Sequence, residues 1–163
     1  MRDQNPVSWR AIVAGGLIAA TVDIGAASLI NWLSPVIILH AIASGALGKA
    51  SFAGGAGAAV LGLVLQWFMG LLIAAIFVLM ASRLAWLRRR WVFAGIAYGV
   101  VVFFVMNYVV VPLSAAPFPA HHFGVREFIE NLLAMVLFGL IISWCARERR
   151  VLLPVRDAGS DAA

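Results

Sequence analysis

Charge is scarce in this chain of 163 residues: only 12% of them are Asp, Glu, Lys or Arg. An ordinary soluble domain carries about twice that share. Cysteine is almost absent, since Cys145 stands alone. One thiol makes no internal disulfide, and no CxxC or Cys/His zinc spacing exists. Ser and Thr are sparse, and none has an evident base partner. Walker, GxSxG, HExxH and dinucleotide-binding patterns are all missing. These absences exclude a disulfide-stapled module, a zinc finger and the common soluble enzymes, and no cofactor is implied.

Apolar residues fill the space instead. They make up 64% of the chain, and mean hydropathy is +1.01. The composition is that of an integral membrane protein, with the lipid bilayer as its first partner. Four runs, 11–33, 58–81, 92–113 and 128–146, are long enough to cross about 30 Å of hydrocarbon at about 1.5 Å per residue. The third contains VVVFFVMNYVVVP, which is β-branched. A lone strand would leave its backbone unpaired in lipid, so a helix is expected there too. Residues 1–153 then form one all-α domain of four transmembrane helices, and 154–163 a disordered cytoplasmic tail. The first run outlasts a signal-peptide core, so no cleavage is expected despite the small residues Ala19, Ala20, Ala26 and Ala27.

Net charge is +5, and all the basic residues but Lys49 are Arg. They flank the apolar runs, which points to topology and not to nucleic acid. Arg2, Arg10, Arg83, Arg88, Arg89, Arg90, Arg147, Arg149, Arg150 and Arg156 fall on one side of a four-span arrangement, and Lys49 and Arg126 on the other. The positive-inside rule puts both termini in the cytoplasm. Trp9, Trp86, Trp91 and Trp144 mark the inner boundary and Trp32 the outer one, while Trp67 falls within a span. The Arg88–Arg89–Arg90 run can also hold anionic lipid headgroups. Between the first two spans, 34–57 is too apolar for a free loop and too interrupted for a span. It reads as a short helix from Val36 to about Phe52, lying on the outer leaflet or re-entering it.

Stepping by four along the spans collects small residues with single polar ones: Ala58, Gly62, Gln66, Gly70, Ala74; Gly95, Gly99, Phe103, Asn107; and Ala19, Asp23, Ala27, Asn31. Small faces let helix backbones approach closely, so Gly62, Gly70, Gly95 and Gly99 are candidate packing positions. Asp23, Gln66, Asn107, Glu130 and Asn131 cluster in the outer halves, which suggests an outward polar recess with Asp23 at its floor, for substrate or proton. Interhelical packing is the alternative for Gln66 and Asn107, a buried structural carboxyl for Asp23, and a helix N-terminal role for Glu127 and Glu130. His121 and His122, with Glu127, could form an outer metal site, joined by His40 and Glu130.

The motifs GIAYG, VVVPLSA, REFIEN and WCARERR, within 95–150, resemble the second half of the YagU-like bacterial inner-membrane proteins. The resemblance covers about a third of the chain and implies a bacterial inner-membrane location with a link to acid tolerance. Asn131 and Met135 stand where such proteins often carry histidines. Three functions follow as expectations: a non-enzymatic accessory protein binding a membrane partner, a lipid or its own copies; a small transporter or proton-responsive protein using the recess; or a membrane enzyme with an outer metal site.

Overall fold

A computed structural model describes residues 8–117 and 124–147. They are almost entirely helical. In order they form α1 (Trp9–Asn31), α2 (Pro35–Leu47), a 3-10 turn (Gly48–Ala53), α3 (Gly55–Arg83), α4 (Ala85–Arg89), α5 (Trp91–Val105), a π turn (Met106–Val110), α6 (Val111–Leu113) and α7 (Val125–Ala146). The ends follow local chemistry. Ser8 and Ser34 cap α1 and α2 by accepting from the backbone N–H of Ala11 and Ile37, and Pro35 occupies the first turn of α2, where its missing N–H costs nothing. Trp32 closes α1 in a left-handed conformation (φ 53°).

Five helical stretches are long and apolar enough to cross a membrane: Trp9–Asn31, Pro35–Ala53, Gly55–Arg83, Trp91–Leu113 and Val125–Ala146. The expected spans correspond to four of them, with bounds that differ by at most three residues at either end. The fifth covers the stretch read as interfacial or re-entrant. It is not one straight rod. His40 Nε2 donates to Gly55 O at 2.8 Å, and the His40 ring lies edge-on to Phe52. In a continuous helix residues 40 and 55 would stand about 22 Å apart. The 3-10 turn therefore folds the chain back along α2.

α1 lies between α3 and α7, α7 also packs on α5, and α2 packs on α3 and touches α1. α3 and α5 stand further apart and are bridged by Tyr98, whose hydroxyl donates to Ile73 O at 2.7 Å and whose ring meets Phe77. The interior combines small residues at the helix crossings with a few large ones, Phe77, Phe103 and Ile142, that are fully buried. Ala19, Ala20 and Ala74 are fully buried, whereas Val60, Phe68, Phe93 and Leu133 are each at least 60% exposed. Many large apolar residues outside and small ones at the crossings is the arrangement of a helical membrane protein, where lipid receives large side chains and backbones pack closely.

Glycines make the crossings. A Cβ on Gly16 would sit 2.9 Å from Gly70 O, where α1 meets α3. One on Gly62 would sit 2.8 Å from the carbonyl carbon of Leu39 on α2. Gly95 and Gly99 face Gly139, Leu140 and Val136 on α7 with the same closeness. All four candidate packing glycines thus contact helices of their own chain.

Candidate functional site

Asp23 enters the interior from α1 and Gln66 from α3, just beyond the Gly16–Gly70 crossing that brings the two helices together. Gln66 Nε2 donates to Asp23 Oδ2 at 2.8 Å. Beside this pair is a cavity of about 30 Å³, lined by Asp23, Gln66, Met69, Gly70, Ile73, Val102, Met106, Met135 and Phe138. That is room for about two waters. Asp23 lies eight residues from the end of α1, about 12 Å along the helix.

The other residues expected in the recess satisfy groups on their own helix. Asn107 Nδ2 donates to Phe103 O at 2.8 Å. Asn131 Nδ2 donates to Glu127 O at 2.8 Å. Glu130 Oε1 accepts from Arg126 Nε at 2.8 Å in an exposed i,i+4 pair. Glu127 Oε2 accepts from the Gly124 N–H, which satisfies a free donor at the start of α7. The structure therefore brings Asp23 and Gln66 together and leaves Asn107, Glu130 and Asn131 outside the cavity lining.

His121 and His122 lie outside the described residues. Among the described residues no group of three or more His, Cys, Asp or Glu could hold a metal. Arg89 and Arg90 are exposed. Arg88 is half-buried and lines a second cavity of about 40 Å³ with Ser8, Ala11, Val78, Ala81, Ser82 and Ala146. Lys49 is exposed on the 3-10 turn. Trp67, the tryptophan within a span, donates its indole N–H to Thr21 Oγ1 at 3.3 Å, two residues before Asp23 on α1.

Sequence reasoning missed Met69 and Met106, and singled out Met135 only through the family resemblance. Met69 follows Gln66 at i+3, Met106 precedes Asn107, and Met135 follows Asn131 at i+4, so each sits one helical step or less from a flagged polar residue. The π turn was also missed, although its cause is visible. Pro112 has no N–H for the Tyr108 carbonyl, and its ring crowds that oxygen in a regular helix. The backbone widens instead, and the Val111 N–H reaches back to Met106 O. Such turns recur at functional sites, and this one starts at a cavity residue. Among known proteins the chain matches no family model, no curated protein and no solved structure, so the YagU-like resemblance stands on the residues quoted above alone.

Proposed function

We propose that this protein is a small transporter or proton-responsive protein of a bacterial inner membrane, with the Asp23–Gln66 cavity as its ligand or proton site. The observation that carries the reading is the 2.8 Å bond between Gln66 and Asp23 beside a cavity between packed apolar helices. An ionisable group at that depth is costly in lipid and is by default a functional suspect. Asp23 supplies the exchangeable proton, and Gln66 orients its carboxyl. The partner-binding alternative drew on small-residue faces, and Gly62, Gly70, Gly95 and Gly99 meet helices of the same chain. The outer metal alternative has no donor cluster among the described residues.

The proposal includes four crossings with both termini cytoplasmic, and the Pro35–Ala53 stretch dipping into the outer leaflet. The fold-back from His40 to Gly55 and the distribution of arginines support it.

Trp67 offers a local reporter through its bond to Thr21. In lipid nanodiscs, the difference in tryptophan emission between wild type and Trp67→Phe is expected to change between about pH 5 and 8. Asp23→Asn should abolish that change. The three histidines are common to both proteins and cancel. A pH profile of Asp23→Asn that overlays wild type would overturn the proposal.

A further inference from the structure

The apolar wall of the cavity carries its own chemistry. The chain has five methionines. Met1 opens it and Met80 lies on an exposed face of α3. The remaining three, Met69, Met106 and Met135, all line the one cavity that Asp23 and Gln66 also line. They come from α3, the π turn and α7, and Asp23 comes from α1. Methionine commonly fills irregular gaps because its thioether chain is flexible. Here three such chains surround about 30 Å³ that they leave unfilled, next to a carboxyl group.

We infer that this cavity binds a soft monovalent cation, copper(I), through the thioethers of Met69, Met106 and Met135, with Asp23 supplying the countercharge. The donor set selects the ion. Thioether sulfur is soft and suits copper(I). Calcium takes six or more oxygens and magnesium a near-ideal octahedron of them, while Asp23 and Gln66 are the two side chains of the lining that bring oxygen. Zinc takes thiolate, imidazole or carboxylate, and the lining holds neither Cys nor His. Charge points the same way. One copper(I) and one carboxylate are neutral together, which lowers the cost of holding either between apolar helices. A divalent ion would leave a net charge there. The inference rests on the reading of this cavity as a ligand site and names its ligand.

The test uses the full chain in nanodiscs, with Cys145→Ser as the parent so that no thiol competes. Copper(I), kept reduced with ascorbate, is titrated against a chromophoric copper(I) chelator. The parent is expected to hold one copper(I) per chain, with sulfur as the dominant neighbour in X-ray absorption. Met69→Leu, Met106→Leu and Met135→Leu should each weaken binding by about tenfold or more, and Met80→Leu should leave it unchanged. Leucine conserves volume at these positions, and elution profile and helical circular dichroism verify folding. Absence of stoichiometric copper(I) in the parent overturns the inference. So does an unaltered affinity when all three cavity methionines are replaced, or, if that variant fails to fold, in at least two of the single ones. The pH response at Asp23 is measured without copper, which separates the two readings. A protein with the response and no copper site keeps the proton function and loses this ligand. Copper bound without the response does the reverse.

Discussion

Gly25 and Gly99 occupy the interiors of two apolar helices and meet opposite surroundings. Nothing lies within 4 Å of a Cβ added at Gly25, whereas one at Gly99 would come 2.7 Å from Val136 Cα, a backbone atom that cannot swing aside. Gly99→Ala is therefore expected to push α5 off α7 and lose about 1–3 kcal/mol. Gly25→Ala should gain on the order of 0.5–1 kcal/mol, from the helix preference of alanine over glycine. Unfolding by SDS titration in mixed micelles measures both, and equal effects of the two substitutions would refute the argument. At this scale the sequence marks polar residues well, because they are costly in lipid, whereas a small residue such as Gly25 can also face outward. It does not mark Met69, Met106 and Met135 as a set, since a methionine looks alike whether it fills a gap or faces a cavity. Only their convergence in space distinguishes them.

α2 is held mainly by α3 and the 3-10 turn that follows it. Its register against α3 depends on the close approach of Leu39 to Gly62 and on the bond from His40 to Gly55. A second tie joins its far end to the segment after α6, where the Ala115 N–H donates to Gly45 O at 2.9 Å. Gly62→Leu cannot fit against Leu39 and should lift α2 away from α3. The lone lysine gives a clean readout, because lysyl endopeptidase can cut only after Lys49, on the exposed turn beyond α2. Cleavage in detergent is expected to accelerate by about tenfold or more if local opening costs at least about 1.4 kcal/mol less. A rate equal to that of wild type would show that Gly62 does not hold α2. The positions of the long helices were legible from apolar length alone. Their ends were less so, because Ser8, Gly54 and Gly124 start helices outside the apolar runs. The short α4 and the π turn escaped because each is only five residues long, too short for periodicity to declare.

At the scale of the whole molecule, large apolar side chains are exposed along the long helices, and the described arginines lie at or near helix ends. Four crossings put the two termini in one compartment, and a fifth crossing by Pro35–Ala53 would separate them. Compartment-sensitive reporters fused to each terminus are expected to read cytoplasm at both. Opposite readings would mean that Pro35–Ala53 crosses the bilayer. The pairing of distant helices, unlike their positions, was not legible. Nothing in local sequence says that α1 lies between α3 and α7.

That central place of α1 bears on how the protein is made. The chain emerges N-terminus first, so α1 and α3 can meet at Gly16 and Gly70 while the rest is still in the ribosome. Asp23 and Gln66 can then pair, but four of the nine residues lining the cavity are missing: Val102, Met106, Met135 and Phe138 belong to later elements. α7 carries two of these and docks on α1. A nascent or truncated chain lacking α7 therefore carries the Asp23–Gln66 pair without Met135 and Phe138, and the cavity is completed only when the last long helix arrives.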